Sequence, residues 1–506
     1  MRRRGDLTHV ELVEDDDPTG RGAARTPSAT AGPGGPDDAS GTGREDAPRS
    51  SGRRRGLLVA AGVVVLALVT LAAVQVVVDR RASAVDDRIA ALPGASVDLG
   101  TELTTLWALD EEILWFPAVF QGRVGVGPAV LDDGAHGVQA RDVSTGEVVW
   151  SVAVGPPVPR TDDEADPWGG ALSCAPPPTG TADPNTVPEV MVCHTSDQRE
   201  PGEDGPRLTP TWSRVVVVDL ATGSVRSSVD VPRATSAAVL DGSVALGRLD
   251  DERHAEVVAV DTVTGEERWR YRDPADLPEG TVDLWMSVQQ VGGHVAVFDP
   301  SGDVTLLSPD GERVDDTGWD MSAMAELGLA LPADGPFTRV VRPGLPDLEV
   351  IGTLARRVLD DGSAPGLEVS SSGSISWGWD ATTGEERWES EDGLAPQGQA
   401  AVVVAEGRVH AASTTGVRTL DARTGEVVWT YDVPEGTVQG PLMCDGPHVA
   451  VLRGRDDGSG MESVIVLDRR TGELVRELAL PEGTQWATPL GPYLVAYGQA
   501  GSAVVG

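Results

Sequence analysis

The chain has 506 residues, and its 79 acidic residues against 40 basic ones give a formal net charge of −39 at pH 7. Such an excess of negative charge argues against nucleic acid as a partner. Its three cysteines are too few for a disulfide framework and form no CxxC metal-binding pair.

The N-terminal part of the chain predicts a tail followed by a membrane anchor. Residues 1–52 are rich in Gly, Pro, Ser, Asp and Arg and show no apolar period, so we expect a disordered cytoplasmic tail. Residues 56–78 form an uncharged run of 23 residues, enough for a helix of about 34 Å. We therefore assign 53–81 to a transmembrane helix with flanking arginines, and 82–103 to a juxtamembrane linker.

A cleavable signal peptide is the alternative interpretation of this run. Ala82-Ser83-Ala84 resembles a cleavage site, but the apolar run is longer than that of a signal peptide and arginines follow it directly. Five arginines lie in the 20 residues before the run and three in the 20 after it. The positive-inside rule then predicts a single-pass protein of the cell membrane with a cytoplasmic N-terminus and an extracytoplasmic C-terminal part.

The remainder of the chain, 104–506, has the pattern of an all-β domain. Short valine-rich runs such as RVVVVD, EVVAVD, HVAVFD and SVIVLD are separated by Gly, Asp and Pro. Half-buried strands joined by tight turns have this composition. No long helical period interrupts them, so the domain is predicted to consist of strands.

One turn is repeated along this domain. Six copies begin with Asp after an apolar strand and place Gly four residues later, and four of them end on Trp eight residues after the Asp. The Asp side chain can accept backbone N–H groups two residues on, and Gly supplies the positive φ of a hairpin turn. The motif residues are Asp142, Gly146, Trp150, Asp219, Gly223, Asp261, Gly265, Trp269, Asp380, Gly384, Trp388, Asp421, Gly425, Trp429, Asp468 and Gly472.

The spacing of the copies predicts the blades of a β-propeller. Successive Asp residues lie 42, 41 and 47 residues apart in the regular stretches, which is the repeat length of four-stranded blades. A degenerate copy covers Leu306–Val314, while Asp347 is not counted because no Thr-Gly follows it. Leu106–Trp115 resembles the hairpin that the C-terminus lacks, and pairing the two ends would remove exposed sheet edges. Eight blades are predicted, with seven as the alternative.

These residues resemble the pyrroloquinoline quinone (PQQ)-type propeller repeat, Ala-x-Asp-x-x-Thr-Gly-x-x-x-Trp. Ala140–Trp150 and Ala259–Trp269 match every fixed position, and the resemblance extends over about 104–506. It implies that each Trp docks on the neighbouring blade as a structural residue. Ser227 and Arg476 replace the Trp in two copies, and we expect Trp212 or Trp486 to fill those gaps instead.

The family includes quinone-dependent alcohol and glucose dehydrogenases, whose site holds PQQ and Ca²⁺. The resemblance implies a disulfide between adjacent cysteines over the quinone and an Asn among the Ca²⁺ ligands. This chain has no Cys-Cys pair, and Asn185, its single Asn, lies in a Pro-rich loop. It also has no C-x-x-C-H haem motif, and its seven histidines form no H-x-x-x-H pair. No catalytic, cofactor-binding or metal-binding residue is therefore assigned.

Two functions remain open from the sequence. The first is a non-catalytic, membrane-anchored propeller that binds a protein or another ligand of the cell envelope, similar to the propeller lipoproteins of the outer-membrane β-barrel assembly machinery. The second is a divergent PQQ- and Ca²⁺-dependent oxidoreductase. Cys174 and Cys193 flank one loop and could form a disulfide in an oxidising compartment, which would leave Cys444 as a buried thiol.

Overall fold

A computed structural model describes most of the chain from residue 51 onward. It omits 93, 97–98, 100, 110–114, 116, 158–171, 179–187, 198–209, 251, 253, 275–285, 292, 300–302, 319–322, 326–327, 333–336, 342–346, 374, 392–400, 414, 434–436, 456 and 499–500. The predicted disordered tail, 1–52, thus lies almost entirely outside the described residues. The chain divides into two compact units, Met1–Ala73 and Val74–Gly506.

Among the described residues, one helix precedes the strands. Helix α1, Ser51–Ala90, is one continuous element that includes both the predicted span and the first part of the predicted linker. Within the part of the chain that the structure describes, no helix has the length and apolar character needed to cross a membrane. The predicted transmembrane helix is therefore not confirmed.

The strands of the second unit form nine sheets in the described residues, eight of four strands and one of five. Sheets 1 to 3 contain β2 Val119–Gln121, β3 Val124–Val130, β4 Ala135–Asp142 and β5 Val148–Pro157; β6 Leu172–Ala175, β7 Val190–Ser196, β8 Ser213–Asp219 and β9 Val225–Asp230; and β10 Ser236–Leu240, β11 Ser243–Leu249, β12 Ala255–Asp261 and β13 Glu267–Arg272. Sheets 4 and 5 contain β14 Ser287–Val291, β15 His294–Phe298, β16 Asp303–Leu307 and β17 Arg313–Gly318; and β18 Ala323–Ala325, β19 Gly328–Pro332, β20 Phe337–Val341 and β21 Leu348–Ile351.

The other four sheets continue this order. Sheet 6 contains β22 Thr353–Leu354, β24 Leu367–Ser372, β25 Ile375–Asp380 and β26 Glu386–Ser390; sheet 7 contains β23 Arg356–Asp360, β27 Ala401–Ala405, β28 Arg408–Ser413, β29 Gly416–Asp421 and β30 Val427–Asp432; sheet 8 contains β31 Val438–Cys444, β32 His448–Gly454, β33 Met461–Asp468 and β34 Leu474–Ala479; and sheet 9 contains β35 Thr484–Leu490, β36 Tyr493–Gly498, β37 Gly501–Val505 and β1 Thr105–Leu109. Strand pairing is antiparallel throughout except between β23 and β27. Apolar clusters fill the spaces between neighbouring sheets.

The pairing of the two ends of the domain is confirmed. Strand β1 is the outermost strand of sheet 9 and pairs antiparallel with β37, with Thr105 opposite Val505 and Leu109 opposite Ser502. The indole of Trp107 donates to the carbonyl of Val143 in sheet 1 (2.7 Å). The first strand therefore completes the last sheet and contacts the first one.

The prediction of eight blades is wrong in number, because the described residues form nine sheets. The additional one is sheet 5, and Asp347, which was not counted among the motif residues, directly precedes its last strand, β21. Its sequence carries neither Thr-Gly nor Trp. Instead Leu348 takes the Trp position, since a Cβ added at Gly384 of the next sheet would lie 2.9 Å from the Leu348 side chain.

The repeated turn has the geometry that its residues predict. In the copy at Asp421, Oδ1 accepts the backbone N–H groups of Arg423 and Thr424, both at 3.0 Å. The N–H of Gly425 donates to the carbonyl of Asp421 (2.9 Å), and Gly425 has a φ of +71°. Because these bonds lie within five residues, the turn forms wherever the motif is written.

The motif tryptophans lie against the motif glycine of the following sheet. A Cβ added at Gly472 would lie 2.4 Å from the ring of Trp429, so any other residue there would displace the indole. The Trp429 indole also donates to the carbonyl of Arg469 (3.2 Å). The same ring-on-glycine contact is made by Trp107 on Gly146, Trp150 on Gly223, Trp269 on Gly311 and Trp388 on Gly425.

The expectation that a distant tryptophan fills the gap is wrong at Ser227. The hydroxyl of Ser227 donates to the carbonyl of Thr262 (2.8 Å), which replaces the indole hydrogen bond, and the side chain of Val229 lies nearest to Gly265. A small hydroxyl and a neighbouring Val thus close this gap without an indole. At Arg476 the expectation stays a prediction, because residues 499–500 of the adjoining sheet lie outside the described residues; Trp486 stacks there on Tyr497, with ring centroids 4.1 Å apart.

Candidate binding cleft

Each sheet has two ends of different character. We define the turn end as the end that carries the Asp-x-x-Thr-Gly turns, and the connection end as the opposite one, from which each sheet leads to the next. All the described motif residues lie at or beside the turn end. At Asp219, a hydrogen bond from the Arg226 side chain lowers the pKa of the carboxyl to about 2. The carboxylate of Asp219 is thus neutralised within its own turn.

A cleft of about 500 Å³ lies at the connection end of sheet 2. Strands β5 and β7 end there, and the long connections that follow them, 158–171 and 198–209, lie outside the described residues. The walls of the cleft come from the end of sheet 1, from the start of β8 and from the link to sheet 3. They include Pro156, Trp212, Arg214, Asp230, Val231 and Arg233.

Local hydrogen bonds fix the side of the cleft that carries Trp212. Asp197 follows β7, and its Oδ1 accepts the backbone N–H groups of Thr211 (2.7 Å) and Trp212 (3.2 Å). Across the strands, Arg214 Nε donates to Asp230 Oδ1 (2.8 Å). The backbone at Trp212 is therefore held by the Asp197 carboxylate, and the ion pair joins β8 to the end of β9.

Beneath the cleft lies a concentration of buried polar side chains. Nδ1 of His136 is 2.6 Å from the hydroxyl of Thr195, and both side chains are fully buried. A Cβ added at Gly155 would lie 3.0 Å from that hydroxyl and 3.3 Å from Trp212. The glycine thus lets the chain of sheet 1 pass close to the floor of the cleft. The buried polar residues at this end are His136, His194, Thr195, Ser196 and Ser213.

His194 is buried, and no described residue offers its imidazole the hydrogen bonds that water would make. It is 2 % exposed, and neither ring nitrogen has a hydrogen-bond partner among the side chains and backbone that the structure describes. Burial lowers the pKa of its imidazole to about 4. His410 of sheet 7 is also fully buried, and burial, followed by repulsion from Arg469 and Arg408, lowers its pKa to about 3. Both imidazoles are neutral at pH 7.

This arrangement suits binding better than catalysis. The hydroxyl of Thr195 and the imidazole of His136 are hydrogen-bonded, but both are inaccessible to a substrate. Cys193 of β7 forms a disulfide with Cys174, which lies directly opposite it on β6, with Cα atoms 4.1 Å apart. Cys444 is buried, and burial raises the pKa of its thiol to about 11.

One acidic cluster has the composition of a metal site but is already neutralised. Ligand atoms of Asp250, Glu252 and His254 lie within 4.8 Å of one another. Arg272 occupies the centre of this cluster, since its Nε donates to Asp250 Oδ2 (2.7 Å), its Nη2 also pairs with Glu252, and Nη2 lies 2.8 Å from His254 Nδ1. The cluster is an ion-pair network around an arginine.

The residues do not fit the PQQ and Ca²⁺ of the quinoprotein dehydrogenases. No adjacent cysteines exist to cover a quinone, and Asn185 lies outside the described residues. No reaction step through this cofactor is derived.

Comparison with known families agrees with the repeat. A family model described as outer membrane protein assembly factor BamB matches residues 136–323 and 372–505, more than half of the chain. The chain belongs to this BamB family. The stretch of this chain between the two matched ranges, 324–371, includes nearly all of sheet 5, the sheet without the motif. No curated protein gives a significant match.

The solved structures to which the chain is similar are distant in sequence. BamB from Moraxella catarrhalis is 17% identical, with 80% of this chain and 99% of that chain covered and a TM-score of 0.37. A europium-containing methanol dehydrogenase is 13% identical, with coverage of 79% and 85% and a TM-score of 0.35. The C-terminal WD40 domain of Sif2 is 13% identical, with coverage of 80% and 98% and a TM-score of 0.39.

The cleft was not predicted from the sequence. Trp212 stood out only as a substitute for a missing motif Trp, whereas it lies in the wall of the cleft. The usable signal was the pair of long connections that interrupt the repeat between Asp142 and Asp219, a spacing of 77 residues. Insertions in a repeat fold gather on one face, which is often the binding face.

Proposed function

We propose that this BamB-family protein is a non-catalytic binding module of the cell envelope, and that the cleft at the connection end of sheet 2 holds an extended segment of a protein partner. The observation that carries the proposal is the cleft itself. It combines an indole, apolar walls and an ion pair above a buried polar floor. Membership of the BamB family supports a role in the envelope.

The chemistry of the cleft favours a peptide over a small metabolite. Trp212 offers a large, rigid apolar surface, and aromatic residues with Arg dominate the binding energy of protein interfaces. Arg233 is exposed at the rim, where a charge steers the approach of a partner more than it strengthens the complex. The chain has a net charge of −39, but at this cleft Asp230 neutralises Arg214 and leaves the positive charge of Arg233. An acidic or neutral segment is therefore favoured.

Site-directed photocrosslinking tests this function. A photoreactive phenylalanine analogue in place of Trp212 is expected to give a crosslinked product of discrete mass in living cells, and the additional change Arg233→Glu is expected to weaken it at least threefold. The matched control is the same analogue at Val263, which is 67% exposed at the turn end of sheet 3. Equal crosslinking at both positions, or none at Trp212, would contradict the proposal.

Membrane anchoring through residues 56–78 forms a second part of the proposal and is supported by the sequence. The run is uncharged over 23 residues. In the described part of α1, Leu71, Val74 and Val77 are 66%, 54% and 50% exposed. An apolar helix that is exposed on all sides in water is unfavourable, whereas lipid would cover it.

Protease added to intact cells or spheroplasts is expected to degrade the 104–506 region and to spare the first 50 residues. The reason is the arginine excess before the apolar run, which holds the N-terminus in the cytoplasm. Immunoblots with antibodies against each end measure the outcome, and lysed cells serve as the control in which both ends are cut. Loss of the N-terminal epitope from intact cells would overturn the assigned orientation.

A further inference from the structure

The segment that the sequence indicates as a linker, 82–103, is attached to the domain. It contributes buried apolar side chains at the turn ends of sheets 7 to 9. Ile89 is fully buried in the cluster shared by sheets 7 and 8, and Leu99 is 1% exposed in the cluster shared by sheets 8 and 9. A flexible linker would leave such side chains in water.

A buried arginine joins the segment to sheet 8. Arg469, in the repeated turn after β33, is 0% exposed. Its Nη2 donates to Asp86 Oδ1 of α1 (2.9 Å), its Nε donates to the carbonyl of Gly446 (2.6 Å), and its Nη1 lies 2.9 Å from Glu406 Oε2. A buried charge is tolerated only when it is paired and hydrogen-bonded, so Asp86 is required where it stands.

The neighbouring arginine strengthens the same contact. Arg470 binds both oxygens of Asp86, with Nη2 at 2.7 Å from Oδ1 and Nη1 at 3.0 Å from Oδ2. Its Nε lies 3.2 Å from Glu406 Oε2. Two arginines and two carboxylates thus form one network between α1 and the turns of sheets 7 and 8, and fork-shaped pairs of this kind fix orientation as well as proximity.

Glu406 carries a backbone cost that this network explains. It has a φ of +50° and is the one non-glycine residue with positive φ among those described. It occupies the first position of a two-residue hairpin turn, where Asn, Asp or Gly is favoured. A strained residue of this kind persists where its side chain is needed, and the Glu406 carboxylate contacts Arg469 and Arg470.

Beyond the helix, two backbone amides continue the attachment. The N–H of Ser96 donates to the carbonyl of Cys444 (2.7 Å), and the N–H of Leu99 donates to Asp445 Oδ2 (2.8 Å). Asp445 is itself 5% exposed and also accepts the N–H of His448 (2.9 Å). These two amides report directly on whether the segment is bound.

We propose that residues 82–103 form a latch that fixes the C-terminal end of α1 to the turn ends of sheets 7 and 8. The latch is a positioning device, because it holds this end of α1 at the turn ends of sheets 7 and 8, whereas the cleft lies at the connection end of sheet 2. Any role of the latch in presenting the cleft to a partner rests on the proposed binding function. The latch itself stands on the contacts of Asp86, Arg469 and Glu406.

Hydrogen exchange of the full chain in detergent tests the latch. In the wild-type protein, the amides of Ser96 and Leu99 are expected to exchange at least 100-fold more slowly than those of an unstructured peptide. Asp86→Asn is expected to speed their exchange at least tenfold while the amides of β32 remain protected. Asp87→Asn, a change at the exposed neighbour, is the matched control and is expected to leave both unchanged.

A distance measurement adds a readout that is independent of local stability. Spin labels at Ser83→Cys and Val263→Cys can be attached selectively, because Cys444 is buried and the other cysteines are paired. We expect one narrow distance distribution in the wild-type background and a broad one with Asp86→Asn. Free exchange of Ser96 and Leu99 in the wild type, or a broad wild-type distribution, would overturn the latch. Failure of crosslinking at Trp212 with these results intact would instead refute the proposed binding function alone.

Discussion

Replacing Trp429 by alanine is expected to lower the free energy of unfolding by about 3–5 kcal/mol, as for other buried aromatic side chains. Trp429 is 9% exposed and packs in the cluster between sheets 7 and 8. Its ring lies against Gly472, and its indole N–H donates to the carbonyl of Arg469. The substitution therefore removes packing and a buried hydrogen bond from the contact that holds two sheets together. Denaturant unfolding of the full chain in detergent, followed by circular dichroism, measures the change.

Glu426→Ala provides the matched control for this prediction. Glu426 lies in the same turn, three residues before Trp429, but its side chain is exposed. We expect a change within about 0.5 kcal/mol, as for exposed sites without special contacts. If Trp429→Ala were as stable as wild type, the repeated indole would have to serve ligand binding and not the docking of sheets.

Acidification from pH 6.5 to 4 is expected to destabilise the fold through two of its buried histidines, His194 and His410. Burial lowers the pKa of His194 to about 4 and that of His410 to about 3, whereas an unfolded His titrates near 6.5. Between these values the unfolded chain binds protons that the folded one does not, so stability falls as the pH falls. Each histidine contributes about 3 kcal/mol over this range, at about 1.4 kcal/mol per pH unit.

The histidine effect can be separated from other titrations at His410. Its Nδ1 lies 2.8 Å from the hydroxyl of Thr419, and its ring centroid is 5.8 Å from that of Trp429. His410→Gln is expected to remove about half of the slope of unfolding free energy against pH between 6.5 and 4. Thr419→Val breaks the hydrogen bond but keeps the imidazole, so the slope should persist. An unchanged slope in His410→Gln would show that this residue is accessible to protons in the folded state.

Features whose contacts are local could be predicted from the sequence alone. The Asp-x-x-Thr-Gly turn closes through bonds within five residues of Asp421, so each written copy could be recognised without a structure. The docking position of Trp followed from the repeat, and the pairing of β1 with β37 followed from the incomplete last copy. Sheet 5 was not predicted, because its sequence carries no Thr-Gly. Leu348 takes the place of the Trp against Gly384 of the next sheet.

Contacts between residues of different repeats could be identified only from the folded chain. Asp86 and Arg470 are 384 positions apart, and nothing near either residue distinguishes it from the many other charged groups of the chain. The cleft likewise combines Pro156 of β5 with Trp212 and Arg233, which lie in two separate connections. A repeat specifies how each sheet packs on the next, because that contact recurs with a fixed period. Contacts that occur once have no period, and their energies appear only when distant segments are placed side by side.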